Sequence, residues 1–403
     1  MEYAMVLYVP REIKQGEGRV AAQPEEIRKY RHFGGFINVE SGAGTKSGFS
    51  NSSYGELGAS IVIPDLDLIK MGMPPFMSLE PDEVIILKVK EVILPDERWM
   101  IREDHAVVGF GHLAANRALV DYTIRRRGTY VSLEDIVEPG NPPVRPVLKG
   151  MSVVAGKEAV KIGMKYFSET TPCVVIVGYG NVGKAAHETA CEKFDLPVIA
   201  FDRNPDVLKI SATASSIHKT NQVCALFPDF NIDFNEKLRK VSVLLESSGV
   251  PQRPYLIILS PYAPENKAPT VITMPMLQNI PQGSVIVDVS IDQGGACEFS
   301  RPTSHEHPAT ELERGIKYIG IPNLPGGVPE ESTPVFSQSV YPYIADIVRY
   351  GFVEAIRRNR PLFDAVSIFK GRVTSAGLAK TFELEYTPLA GLLNINNANE
   401  ELS

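Results

Sequence analysis

The chain has 403 residues, more than one hydrophobic core usually organises, so it is expected to form two domains of ordinary size. Its 44% hydrophobic and 22% charged residues are a globular mix that argues against extensive disorder, and a net charge of -7 leaves no overall basic field to hold nucleic acid or anionic lipid. Cys173, Cys191, Cys224 and Cys297 stand far apart without a C-x-x-C pair, which points to reduced thiols rather than a disulfide framework, and no metal is expected.

The N-terminus gives a short apolar run, Met5 to Val9, followed by charges, and reads as a first strand rather than a cleavable leader. No stretch reaches the roughly 18 to 20 uninterrupted apolar residues of a spanning helix, so the expectation is a cytoplasmic protein with no membrane partner. Pro24 to His32 reads as a helix, and Phe36 to Val39 and Val84 to Val89 as further strands, which is βαβ rhythm. The run from Asn141 to Pro146, with three prolines, interrupts that rhythm and marks a crossover between domains. A helix is expected from Met151 to about Phe167, with Ser152 at its beginning as a cap or a contact to a bound ligand. Strands are then expected at Cys173 to Val177, Pro197 to Phe201, Leu256 to Leu259, Val285 to Val289 and Lys317 to Ile319, the domain ending near Pro329. Thr333 to Ile356 reads as a long helix interrupted at Pro342, and Ala365 to Ala379 as more helix before a frayed polar tail.

Between strand and helix, Gly178-Tyr179-Gly180-Asn181-Val182-Gly183 satisfies Gly-x-Gly-x-x-Gly in the setting that motif requires. Gly178 permits the tight turn, Gly180 lets a pyrophosphate approach the backbone, Gly183 lets helix and strand pack, and the N–H groups from Asn181 and Val182 onward face the phosphates. The next strand ends at Asp202, about 20 residues further on, where a carboxylate accepts the ribose hydroxyls of NAD and repels the 2′-phosphate of NADP. Arg203 partly offsets that repulsion. NAD is therefore the expected cofactor. His305-Glu306-His307 lacks further ligands and reads as loop rather than a metal pair.

Several separate segments together resemble the alanine dehydrogenase and pyridine nucleotide transhydrogenase family. They are Arg11-Glu12-Ile13-Lys14 with Glu17-Gly18-Arg19-Val20-Ala21, Ser41-Gly42-Ala43-Gly44 with Ser47-Gly48-Phe49-Ser50, Leu87 to Glu91, Gly111-His112-Leu113-Ala114-Ala115, Val287 to Gly295 running into Ser300 to Thr303, and Asn323 to Pro329. The resemblance implies two Rossmann-like α/β domains with parallel sheets flanked by helices and a cleft between them. Residues 1–145 and 330–403 would form the substrate domain, and residues 146–329 the NAD-binding domain. It also implies that Arg19 and Lys90 bind the substrate carboxylate or carbonyl, that His112 is the general acid/base and that Asp292 is the second catalytic group. The chemistry agrees: a guanidinium grips a carboxylate bidentately, and imidazole moves protons near neutral pH. Strand alternation from Lys88 to Glu91 puts Lys88 and Lys90 on one face, one of them an edge charge.

The chain departs from the family in a short Ser168 to Pro172 segment, in Ser337-Gln338 where a Thr-Asn pair is usual, and in Asn116-Arg117 after Ala115. The expected activity is reversible oxidative deamination of a small L-amino acid to its 2-oxo acid and ammonia. The alternatives are reductive coupling of a 2-oxo acid with an amino acid, as in opine or saccharopine enzymes, and an NAD-binding transhydrogenase-type subunit. The resemblance further implies a homo-oligomer, hexameric in the family.

Overall fold

A computed structural model describes residues 5–71, 73–74, 83–168, 170–202, 225–227, 236, 253–262 and 267–394. Arg203, Cys224 and the tail beyond Asn394 lie outside the described residues. The chain divides into two compact units, Met1–Met151 with Val328–Ser403, and Ser152–Gly327.

In the first unit, β1 (Met5–Val9), α1 (Pro24–His32), β2 (Phe36–Glu40), α2 (Asn51–Gly55), β3 (Ser60–Val62), α3 (Leu66–Lys70), β4 (Glu83–Leu87), β5 (His105–Gly109), α4 (Arg117–Arg125) and β6 (Thr129–Ser132) follow in order. All six strands run parallel in the order β6-β5-β4-β1-β2-β3, with Leu7 in register with Ile85 and with Ile37. The order reverses between β1 and β4, and in open α/β sheets the groove beyond the strands' carboxyl ends at such a reversal is where ligands bind.

Helix α5 (Pro146–Met164) opens on Pro146, whose fixed φ suits a first helical position, so the last proline of the run starts the helix five residues before Met151. Ser152 consequently lies in the helix interior and does not cap it. In the second unit β7 (Cys173–Val177), α6 (Asn181–Phe194), β8 (Val198–Phe201), β9 (Ala225–Phe227), β10 (Tyr255–Leu259), β11 (Val285–Asp288), β12 (Thr310–Glu311) and β13 (Lys317–Ile319) form a sheet ordered β12-β13-β11-β10-β7-β8-β9, parallel except at β12. A parallel sheet covered on both faces reads as unbroken apolar sequence, and β7 shows why. Val174 and Ile176 join one core cluster, while Cys173, Val175 and Val177 join the cluster on the other face. Each such fully buried aliphatic side chain contributes roughly 1.5 to 3 kcal/mol.

The chain then returns to the first unit. Helix α7 (Pro329–Tyr350) runs through Pro334 and Pro342 and stops at Gly351, whose φ of 78° closes it; α8 (Phe352–Arg358) follows. Pro342 does not interrupt the helix because packing outweighs the lost hydrogen bond. Phe336, Val340, Ile344 and Ile347 are buried, Tyr341 stacks on Tyr30, and the Ser337 hydroxyl donates to Glu26 of α1. Next come β14 (Val366–Phe369) and β15 (Arg372–Val373), where helix was expected, before α9 (Ala376–Phe382). Strand β14 joins the sheet antiparallel to β6, completing eight strands. Both sheets are thus mixed, parallel in the middle with an antiparallel edge.

Candidate active site

In the first unit three loops leave the carboxyl ends of β1, β4 and β5, and they carry Arg19, Lys90 and His112. Two buried phenylalanines gather the three side chains. Phe110 and Phe336 pack with ring centroids 5.7 Å apart; the Arg19 guanidinium lies 6.0 Å from Phe336, the Lys90 ammonium lies 6.0 Å from Phe110, and the His112 ring stacks on Phe110 at 6.2 Å. Aromatic faces attract cations, more strongly where water is displaced. Neither phenylalanine was expected from the sequence, where each is one apolar residue among many.

Arg19 is buried, and Glu17 holds it. The guanidinium donates from Nε to Glu17 Oε1 at 2.7 Å and from Nη2 to Oε2 at 2.5 Å, and Nη1 lies 2.9 Å from Met151 Sδ. Glu17 thus already takes the bidentate Nε/Nη2 edge of the guanidinium. The spacing Glu17-x-Arg19 carried that signal.

Lys88 and Lys90 do not share a strand face, because β4 ends at Leu87. Lys88 is fully buried and is no edge charge: its Nζ donates to Glu97 at 2.6 Å and pairs with Glu12 at 3.2 Å. Burial works against its charge, but the two carboxylates outweigh burial and hold its pKa above the usual lysine value. Burial raises Glu12 to about 7, and its Oε1 accepts the Val89 N–H at 2.6 Å, which fixes the backbone next to Lys90.

His112 is exposed and left-handed, at φ 45°. Glu134 accepts its N–H at 2.7 Å and that of Gly111 at 3.1 Å. Burial raises Glu134 to about 7, partly offset by those N–H donors. For Glu91, burial is outweighed by a 2.5 Å hydrogen bond from Lys14, with His112 also contributing, so its pKa falls below the usual carboxylate value.

In the second unit Gly178 has φ 93°, and a Cβ there would sit 2.5 Å from the Ser260 carbonyl oxygen; one on Gly183 would sit 2.1 Å from that of Gly178. A Cβ on Gly180 would meet nothing. That open backbone, next to the N-terminus of α6 with Asn181 and Val182, fits a pyrophosphate. The Tyr179 N–H donates to Asp202 Oδ2 at 2.5 Å, which fastens the acid to the glycine turn. Asp292 is exposed in the turn after β11, its Oδ2 3.4 Å from the Asn323 N–H, whereas Asp288 below it is buried and accepts from Ala296, Ser300 and Tyr318. His305 packs against Gly327, and its partner His307 is exposed.

Two family models match the chain, the alanine dehydrogenase/PNT N-terminal domain over residues 8–155 and its C-terminal domain over residues 166–376. The chain belongs to the alanine dehydrogenase/PNT family. Alanine dehydrogenase 1 of Staphylococcus aureus strain Mu50 is 31% identical over 408 residues, covering 96% of this chain and all of the relative. A solved L-alanine dehydrogenase superposes with a TM-score of 0.79 at 27% identity, covering 94% of this chain and 99% of that one. A transhydrogenase from Sinorhizobium meliloti shares the fold at a TM-score of 0.72 and 18% identity, covering 92% and 99%. Among the described residues no helix of this alanine dehydrogenase/PNT family member is long and apolar enough to cross a membrane.

Proposed function

We propose that this protein catalyses the reversible deamination of a small L-amino acid, alanine first among candidates, to the 2-oxo acid and ammonia. The protein is an NAD-dependent amino-acid dehydrogenase of its family. The observation that carries the residue assignment is the gathering of Arg19, Lys90 and His112 around Phe110 and Phe336.

In this reading Arg19 and Lys90 hold the substrate carboxylate and carbonyl. Gly178, Gly180, Asn181, Val182, Gly183 and Asp202 hold NAD, and Ser152, not needed as a cap, contacts its nicotinamide. NAD supplies the acceptor for the hydride that leaves the substrate Cα. His112 takes a proton as water adds to the iminium carbon, returns it to nitrogen, and accepts the hydroxyl proton of the carbinolamine as the C–N bond breaks, the carbonyl forms and ammonia leaves. Asp292 orients the water or the departing ammonium. Residues 1–145 and 330–403 serve the substrate, and residues 146–329 serve NAD. The working form is a cytoplasmic homo-oligomer, hexameric as the resemblance implies, which sedimentation would test.

The deciding assay follows NADH absorbance with pyruvate and other 2-oxo acids, each offered ammonium and, separately, amino acids as amine donor. Oxidation with ammonium supports deamination. Oxidation only with amino-acid donors means coupling, and none despite tight NADH binding means a transhydrogenase-type subunit.

A further inference from the structure

At the β14–β15 edge of the first unit's sheet lies a cavity of about 420 Å³, and none of the residues assigned to amino acid or NAD lines it. Its floor is apolar, with Phe369 and Leu393 both buried. Its rim carries four cations brought from three parts of the chain. Arg127 stands just beyond α4, Arg357 lies on α8, and Lys370 and Arg372 belong to the hairpin.

In a chain of net charge -7, four cations on one small rim run against the overall balance. Two of them have carboxylate partners, Arg127 with Glu103 at 2.9 Å and Arg357 with Glu354 at 3.9 Å. Among the described residues no ion pair is formed by Lys370 or Arg372. Among the described residues the rim therefore carries about two positive charges without a carboxylate partner, which matches a phosphate monoester at about −1.5 to −2 near neutral pH. Guanidinium forks fit phosphate oxygens bidentately. Arg357 Nη2 also donates to the Leu393 carbonyl at 2.9 Å, tying rim to floor, and the Lys370 ammonium lies 5.8 Å from the Phe369 ring. The volume is within the range of small-ligand pockets, about 300 to 1,000 Å³.

We propose that this cavity binds a phosphomonoester carried on an apolar or aromatic body. The site is separate from the dehydrogenase site and does not rest on that assignment.

The test is calorimetric titration of the full chain, saturated with NADH so that its dinucleotide site is filled, with phenyl phosphate, inorganic phosphate and phenol. Phenyl phosphate is expected to bind at one site per chain, about tenfold or more tighter than either fragment. Arg372→Glu, and Lys370→Asn, which keeps a residue tolerant of the left-handed backbone at φ 46°, should each weaken it about tenfold. Turnover and assembly size should stay unchanged. Equal binding of phenyl phosphate and inorganic phosphate, or full affinity in both variants, overturns the proposal. So does a change in assembly size in either variant, which would make the cavity a contact between copies of the chain.

Discussion

Replacing Glu134 by glutamine removes the carboxylate that holds the Gly111 and His112 amides, and the structure sets the size of two separate effects. The first concerns stability. The carboxyl is raised from 4.5 to about 7 in the folded protein, so it binds its proton more tightly folded than unfolded. Its contribution is full below the lower value and is lost as pH rises through the upper one, a change of about 3 kcal/mol at most. Glutamine does not titrate. The unfolding free energy of Glu134→Gln should therefore move by up to about 3 kcal/mol in the variant's favour, relative to the parent, between pH 4.5 and pH 8. The second effect concerns the site. One amide oxygen accepts only one of the two N–H groups, and the side-chain NH₂ faces the other, which costs about 1 to 3 kcal/mol at every pH. His112 is already left-handed, a conformation that disfavours side-chain-bearing residues by about 1 to 2 kcal/mol, so its loop will relax. A displacement near 1 Å in a reacting group lowers turnover by about 100-fold. Urea unfolding of both proteins at the two pH values, with kcat and NADH affinity alongside, reads both effects. Parallel pH dependence of stability in the two proteins, or an unchanged kcat, would refute the reasoning.

His112→Ala should lower kcat by about 100- to 10,000-fold with NADH affinity retained, as loss of a general acid/base requires; normal turnover removes His112 from the mechanism. Arg19→Lys cannot make both hydrogen bonds to Glu17, and a point charge replaces the fork, so the KM for the 2-oxo acid should rise about tenfold or more at constant NADH affinity. Gly178→Ala and Gly180→Ala should separate folding from binding. The first forces a Cβ against Ser260 and should cost about 1 to 3 kcal/mol in thermal unfolding. The second meets nothing in the protein and should leave the melting temperature alone while weakening NADH; equal effects of the two on melting would contradict the cofactor cradle.

Strands that lie in the middle of a sheet were legible because burial on both faces leaves a continuous apolar run, as in Met5–Val9 and Cys173–Val177. The glycine turn was legible for a different reason, since a local backbone requirement at Gly178 and Gly183 dictates the residue type. What failed depends on distant partners. Ala365 to Ala379 has a composition that suits a helix, but Lys370 and Gly371, at φ 46° and 77°, make the two-residue turn of a hairpin, and β6 supplies the pairing. That X-Gly pair between Phe369 and Arg372 was the available cue. Pro342 misled in the other direction, because a well-packed helix face is invisible in the local sequence. Within the site, Arg19 and His112 stand in recognisable motifs, whereas Glu134 lies on a separate loop with no spacing that announces its two amide bonds.

The first unit takes its last strands from the far end of the chain, and this sets a timetable for synthesis. Ser132 at the end of β6 bonds Ser367 of β14 across 235 residues. At roughly 5 to 20 residues per second, β6 waits about 10 to 50 s on the ribosome as an uncovered sheet edge, which is a template for pairing with another chain. The second unit is one continuous segment and can finish in that interval. A ribosome that stalls before β14 would therefore release a six-stranded sheet with a bare edge together with a finished second unit, and chains cut short between residues 330 and 360 should depend on chaperones far more than the whole protein does.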